Sequence, residues 1–376
     1  MTKDLALALG GGGARAAYQV GVMRALAERF PTLDIPILTG VSAGGINAAH
    51  FANHLGTLEE AAEDLTRIWA DLDVSGVFET AGGALLWRAF KNGMRLAFGV
   101  SSTDGEHRGM VDTAPLRKTL NRALGTSTGR LPNIEKNVAS GKLRAVALVT
   151  TRYATGQTVT FFSGRDIVGW ERPQRRSVHT QLTVDHIMAS AALPLFFPAV
   201  EVDGSWHGDG GIRLVAPLAP ALHLGAGKIL AISTLHRRSR KEADIPTFNG
   251  PPLPAQILGV LFNAIFLDQL DQDAHELDRV NRLLDDVPPD RRQGLRPVGL
   301  QVIRPSVDIG VLANEHEPRL PPAFRYLTRR LGTRRARTQD FLSTVMFQRD
   351  FVCRLMELGE KDGSDQAETI AAFLDS

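Results

Sequence analysis

Ile35-Pro36-Ile37-Leu38-Thr39-Gly40-Val41-Ser42-Ala43-Gly44 is the stretch on which the reading of this chain turns. The apolar run Ile35–Thr39 reads as a buried parallel strand, and the small-residue run Ser42–Leu55 behind it reads as a helix. Between them lies Gly40-Val41-Ser42-Ala43-Gly44, a Gly-x-Ser-x-Gly string in the strand–turn–helix setting that a nucleophile elbow requires. In such an elbow the tight turn lifts the serine out of the sheet, and the glycines avoid clashes. The helix N-terminus adds a field that favours negative charge. Taken alone, the string also fits an ordinary glycine turn with Ser42 capping a helix.

Upstream, the same pattern occurs once more. Leu5–Leu9 is a short apolar run ending in Gly10–Gly13, and Ala14–Phe30 has helical spacing, with Pro31 as its stop. Four consecutive glycines let several backbone N–H groups point into one cavity, which suits an anion or a developing oxyanion. A flexible link is the plain alternative, though four glycines at a strand-to-helix junction are costly to order. Gly11-x-Gly13-x-x-Ala16 also satisfies the looser dinucleotide-binding fingerprint. That fingerprint wants an acidic residue at the end of the next strand, and Asp34 stands before the next apolar run instead.

Downstream, residues 57–125 read as mostly helical, with a polar loop at Gly99–Gly109. Leu143–Tyr153 and Thr158–Ser163 read as a hairpin around Gly156. A second hairpin runs Ala199–Val202, Asp203-Gly204, Ser205–His207, because Asp-Gly is a preferred two-residue turn. Gly208-Asp209-Gly210-Gly211 follows at once. An aspartate between glycines is ordinarily a turn residue, but a serine nucleophile needs a base, and Asp209 leaves a strand end with little steric cover. Lys228–Ser233 and Val298–Arg304 are further strands, residues 253–284 and 321–358 long helical patterns, and Arg237–Pro254 an exposed loop. One stripe, Leu258, Leu261, Phe262, Ile265 and Phe266, suits a lid, an acyl-chain wall or plain core.

Composition excludes several classes. The 376 residues carry 43 Lys+Arg against 41 Asp+Glu, so the balance gives no support to nucleic-acid binding. The single cysteine, Cys353, rules out a disulfide framework and a four-cysteine zinc site and suits a reducing compartment. No His/Asp/Glu cluster has metal-ligand spacing, so no metal or other cofactor is expected. The N-terminus lacks a signal-peptide core, and no apolar run approaches the roughly 20 residues of a membrane span. A cytoplasmic protein is expected, with peripheral contact at the inner membrane face left open. The seven arginines of Arg319–Arg337 suit either anionic lipid or a solvated helix face. Histidine triads of the order Ser…Asp…His can be completed formally with His223, His236, His275 or His316, but only one strand–helix unit precedes Ser42, too few for that hydrolase fold.

Four blocks together resemble the patatin-like phospholipase family. They are Leu7-Ala8-Leu9-Gly10-Gly11-Gly12-Gly13-Ala14-Arg15 with Gly21; Gly40-Val41-Ser42-Ala43-Gly44-Gly45; Ala189-Ser190-Ala191-Ala192-Leu193-Pro194 through Phe197-Pro198; and Asp209-Gly210-Gly211. Their order and separation are similar to the family's, and the resemblance covers roughly residues 4–235. Arg304-Pro305 and the late helices look like the C-terminal part of bacterial members. One departure is Ala16, where the family usually has glycine. The resemblance implies a three-layer α/β/α fold with a mostly parallel sheet and a helical C-terminal region. It divides the chain into a catalytic domain at 4–235, a helical region at 236–358 packed on or capping it, and an acidic, loosely held tail at 359–376. It further implies a lipid acyl hydrolase acting on lipid or fatty-acyl esters through a Ser–Asp dyad without histidine. Ser42 would attack, Asp209 would accept its proton, and the N–H groups of Gly11, Gly12, Gly13 and Ala43 would hold the oxyanion. Arg15, Gly40, Gly44, Gly210 and Gly211 would support them. A histidine-triad carboxylesterase and a non-catalytic lipid- or nucleotide-binding protein are the alternatives.

Overall fold

The computed structural model describes residues 4–78, 111–244, 251–252, 254–316 and 340–376. Leu5–Leu9 forms strand β1 and Ile37–Val41 forms β2, both buried throughout, as continuous apolar runs in parallel sheets are. Pro36 keeps the second strand from starting at Ile35, and the strand runs through Gly40 to Val41. A short 3-10 turn, Gly13–Ala16, leads into helix α1 (Ala17–Arg29), and β2 leads into α2 (Ala43–Asn53). Helix α3 (Leu58–Ala70) is opened by a capping box between Thr57 and Glu60.

Strands β3 (Ala145–Arg152) and β4 (Gln157–Gly164) form the first expected hairpin. Two strands that the sequence did not announce follow, β5 (Glu171–Arg172) and β6 (Arg175–His179). They are short, polar and half exposed, with no apolar alternation to mark them. Helix α4 (Val184–Ser190) precedes the second hairpin, β7 (Val200–Val202) and β8 (Ser205–Asp209). Asp203 and Gly204 both have positive φ there, 49° and 70°, as a two-residue hairpin turn of this kind requires. Strands β9 (Lys228–Ile232) and β10 (Gly299–Ile303) complete one sheet in the order β10-β9-β1-β2-β3-β4-β6-β5, with β8 paired to β3 and β7 to β8. The five strands β10, β9, β1, β2 and β3 run parallel, while β4 and β8 oppose β3.

Alternate residues of β1 face opposite sides. Leu5, Leu7 and Leu9 join a core with α1, α2 and α3, and Ala6 and Ala8 join a second core with Leu218, Ala221 and Leu270. The result is a mostly parallel sheet between two helical layers, the expected α/β/α architecture.

The C-terminal third is helical, with differences from the expected pattern. The first long pattern is two helices, α5 (Pro254–Phe266) and α6 (Gln269–Asp285); of the late pattern at 321–358, residues 321–339 lie outside the described residues, and the rest divides into α7 (Asp340–Val345) and α8 (Arg349–Asp365). The segment after Gly359 is not a loose tail. It continues α8 and forms α9 (Ala367–Asp375), and Ile370 is buried. A Cβ on Gly359 would strike the Tyr18 carbonyl, and one on Gly21 would strike the Met356 carbonyl, so α1 and α8 meet at backbone contact. Tyr18 donates to Asp362 at 3.1 Å across the same seam. Among the described residues, helices α7, α8 and α9 therefore share the core of the N-terminal part, the packed arrangement of the two expected. The loop expected at Arg237–Pro254 contains a one-turn helix, Arg240–Ala243. The arginine-rich stretch Arg319–Arg337 and the loop Gly99–Gly109 lie outside the described residues.

Candidate active site

The site lies at the C-terminal edge of the central strands. Val41 pairs with Val149 of β3 and Asp209 with the next residue, Thr150, while β4 fills the other edge of β3, so Ser42 and Asp209 meet where β2 and β8 abut along one edge of β3. Ser42 stands at φ 56°, ψ −133°, a conformation costly for a non-glycine residue and held only where its surroundings over-determine it. Those surroundings are backbone. A Cβ on Gly40 would strike the Gly44 carbonyl and Gly45 Cα, and a Cβ on Gly44 would strike the carbonyls of Gly10 and Leu9. The Ser42 hydroxyl makes no capping bond to α2, so a helix-capping role is not what this serine performs.

Asp209 is wholly buried. Its Oδ1 accepts the Gly211 N–H at 2.8 Å, the bond expected of a turn-forming aspartate. Its buried Oδ2 has no hydrogen-bond partner. The Ser42 hydroxyl is near enough to lower the proton affinity of the carboxyl, though not seated in hydrogen-bond geometry on Oδ2. Burial outweighs that pull and the Gly211 bond, and raises the pKa from 3.8 to about 7. A Cβ on Gly210 would strike the Val149 carbonyl and one on Gly211 the Phe266 ring, so both glycines are required by close approach.

The glycine loop passes in front of the elbow. Gly12 and Gly13 have φ of 141° and 57°. The N–H groups of Gly11, Gly12, Gly13 and Ala43 donate to no described residue. The loop's carbonyls are anchored instead: Thr234 donates to Gly11 O at 2.9 Å and Gln19 to Gly10 O at 2.8 Å. Arg15 is buried and points away from the site. Its Nε donates to Ser343 at 2.7 Å, and it pairs with Asp340 at 2.8 Å, fastening the loop to α7. Ala16, in the position where the family usually has glycine, has φ −66° and ψ −11°, which alanine adopts without strain.

An apolar cavity opens beside Ser42 and Gly13, walled by Ile46, Leu65, Trp69, Leu120, Phe197 and Phe347. Phe262 and Phe266 of α5 close its near side, stacked at 4.7 Å. The stripe on α5 is thus divided: Phe262 and Phe266 face the cavity, while Leu261 and Ile265 are exposed. The Leu258 side chain lies outside the described residues.

Histidines stay apart from the pair. His50 lines the cavity but bonds the Ala61 carbonyl, and burial pushes its pKa down to about 4. His207 bonds Thr150 and is likewise pushed down to about 4. His223 stacks on Trp170, His236 bonds the Pro305 carbonyl and His316 pairs with Asp350. Among the described residues no histidine hydrogen-bonds Ser42 or Asp209.

The structure brings in residues the sequence reading passed over. Thr234, Ser343 and Asp340 carry no local signal. Ser190 sat inside a quoted block without a role, and its hydroxyl receives the Ser42 N–H at 3.1 Å. The sequence also holds a second Gly-x-Ser-x-Gly, Gly125-Thr126-Ser127-Thr128-Gly129. It follows a helix rather than a strand, and its serine is exposed.

A family model described as patatin-like phospholipase matches residues 7–222. No curated protein matches the chain in sequence. Two similar solved structures are a human GIVD cytosolic phospholipase A2 in complex with methyl gamma-linolenyl fluorophosphonate and VipD from Legionella pneumophila. The first is 13% identical with a TM-score of 0.46, over 99% of this chain and 59% of that one. The second is 13% identical with a TM-score of 0.38, over 94% of this chain and 67% of that one. The chain thus spans less than two thirds of the human enzyme.

Proposed function

The chain belongs to the patatin-like phospholipase family, and on that premise we propose that it is a lipid acyl hydrolase working through Ser42 and Asp209. Ser42 Oγ attacks the ester carbonyl while Asp209 Oδ2 takes its proton. The protonated Asp209 then returns that proton to the departing alcohol, and water releases the acyl group from Ser42 by the same steps in reverse roles. The free N–H groups of Gly11, Gly12, Gly13 and Ala43 receive the oxyanion, where preorganised donors act most strongly. The apolar cavity beside Ser42 takes the acyl chain.

The observation that carries this reading is the carboxyl of Asp209: buried, with Oδ2 unpartnered and the Ser42 hydroxyl close by. An ordinary carboxylate is a weak base toward a hydroxyl, but a pKa of about 7 brings it to the working range of a general base. A turn-forming role alone uses Oδ1 and leaves Oδ2 without purpose.

The test is a fluorophosphonate probe mapped by mass spectrometry, beside hydrolysis of a lipid and p-nitrophenyl ester panel. Labelling at Ser42, with ester hydrolysis lost in Ser42→Ala, is the expected result. Labelling at another serine in active enzyme overturns it. Activity surviving in Ser42→Ala also overturns it, and selects a different nucleophile.

A further inference from the structure

Ser190 and Ala192 lie in the one quoted block that the mechanism leaves without a task. Ser190 is wholly buried at the C-terminal end of α4. Its hydroxyl donates to the Val149 carbonyl of β3 at 2.7 Å and accepts the Ser42 N–H at 3.1 Å. Two residues on, the Ala192 carbonyl accepts the Asp209 N–H at 2.9 Å. One short segment therefore holds the main chain of both Ser42 and Asp209, and it is referenced to β3, the strand with which both β2 and β8 pair.

We propose that Ser190 is a positioning residue that sets the distance between Ser42 and Asp209. The inference rests on the Ser–Asp reading above.

The physical argument starts from the elbow. Ser42 sits at a strained φ, so its main chain relaxes if its restraints weaken. Gly40 and Gly44 restrain it by contact, which limits approach but not retreat. The Ser190 hydroxyl is the polar restraint: it ties the Ser42 N–H to the same carbonyl, Val149 O, against which Gly210 is packed. The base is therefore measured from the same post as the nucleophile. Because its N–H is committed to Ser190, Ser42 itself is no oxyanion donor, which leaves that task to the glycine loop and Ala43. A displacement of about 1 Å in such a pair costs on the order of a hundredfold in rate.

The test compares Ser190→Ala with an isosteric pair, Ser190→Thr and Ser190→Val. Threonine keeps the hydroxyl and valine replaces it with a methyl, so the cost of fitting the larger side chain cancels between them. With a soluble short-chain ester, kcat is expected to fall about ten- to a hundredfold in Ser190→Ala, with KM changed less than about twofold, since the cavity walls are untouched. Ser190→Thr should exceed Ser190→Val in kcat by about tenfold or more. The pH midpoint of kcat/KM supplies the readout that a packing role would not move. The Ser42 hydroxyl lowers the Asp209 pKa, so loosening the pair raises it, and the midpoint should rise in Ser190→Ala and Ser190→Val but not in Ser190→Thr. Equal rates and equal midpoints for threonine and valine overturn the proposal. So does a Ser190→Ala enzyme with wild-type kcat. If Ser190→Ala does not fold, the threonine–valine comparison decides. Ser42→Ala and Asp209→Asn are run beside them. If either retains activity, the Ser–Asp reading has failed; if both are inactive and the Ser190 variants are alike, only the positioning role has.

Discussion

The elbow at Ser42 and the turn at Asp209 meet along one edge of β3, and they carry their costs in different forms. At the elbow the cost is conformational: Ser42 has positive φ, and Gly40 and Gly44 are packed against main-chain atoms. At Asp209 the backbone is relaxed, with φ −50° and ψ 129°, and the cost is electrostatic, a carboxyl stripped of water with one oxygen unpartnered. Sterics fixes Ser42 and desolvation tunes Asp209. Damage to the first should be indifferent to pH, and damage to the second should change with it.

The most severe way to break the elbow is Gly44→Ala. Its Cβ meets two main-chain oxygens, Gly10 O and Leu9 O, and neither can move without disturbing β1. Overpacking of this kind costs on the order of 3 kcal/mol, so the variant should melt far below wild type or fail to accumulate. The deficit should be the same at pH 5 and pH 8, by thermal melts at both.

Asp209→Asn should do the opposite on each count. The fold is kept, because asparagine serves equally in the Gly211 turn bond. The rate of ester hydrolysis should fall about 10²–10⁴-fold for the lost base. Its stability should differ from wild type in a pH-dependent way. A carboxyl of pKa about 7 in the folded chain and an ordinary value when unfolded holds its proton longer when folded. Wild-type stability from this group is therefore full below about pH 4 and is lost as pH rises to about 7. Asparagine has no such loss, so melts of the variant and wild type should diverge toward neutral pH, by up to a few kcal/mol. A Asp209→Asn enzyme with more than about a tenth of wild-type kcat/KM, a loss under ~1.4 kcal/mol, removes Asp209 as the base.

In wild type the same carboxyl predicts a single pH limb. The active form is the carboxylate, so kcat/KM should fall about tenfold for each pH unit below the midpoint near pH 7. A kcat/KM flat down to pH 5 would mean that Asp209 ionises in the ordinary carboxylate range or is not the group whose ionisation limits the rate.

The two halves of the comparison were not equally legible in the sequence. The elbow was readable because everything that makes it is local: an apolar run, then glycines, then a small-residue helix. The Asp203-Gly204 hairpin was readable for the same reason, since positive φ at two successive residues demands particular side chains. Asp209 was legible as a turn residue, and its Oδ1 does make the turn bond; the state of its Oδ2 depends on burial by β3, α4 and α5, which no short window records. The partner of Arg15 was the least accessible. Asp340 lies 325 residues away, and the loop braces a helix whose existence no feature near Arg15 implies. That the C-terminal helices pack on the N-terminal part was expected, but the seam of α8 on α1 was not, because the acidic tally after Gly359 hid the spacing of Gly359 and Gly363 that lets the helices approach.

The smallest expected effect sharpens the comparison most, because it touches the elbow without a backbone clash. Gly11 lacks the positive φ of Gly12 and Gly13, so alanine is acceptable to its main chain. Its Cβ would stand 3.1 Å from Ser42 Cβ and 3.8 Å from Ser42 Oγ. That is a tight contact, and something must give by a few tenths of an ångström. The elbow is poorly placed to yield, being held by Gly40, Gly44 and the Ser190 hydroxyl. The glycine loop must yield instead, and with it the N–H groups of Gly11 and Gly12 proposed to receive the oxyanion. Gly11→Ala should therefore fold nearly as wild type, with a melting shift of about 1–2 °C, what roughly 1 kcal/mol produces in a chain of this size. Its kcat should fall about tenfold, a loss of ~1.4 kcal/mol, with KM little changed, because a donor aimed at the oxyanion acts in the transition state. The pH midpoint should not move, since Asp209 is untouched. A full set of melts and pH–rate profiles reads all three. Wild-type kcat in Gly11→Ala would show that the loop's N–H groups lie idle at this end, and a shifted midpoint would show that the elbow, not the loop, had moved.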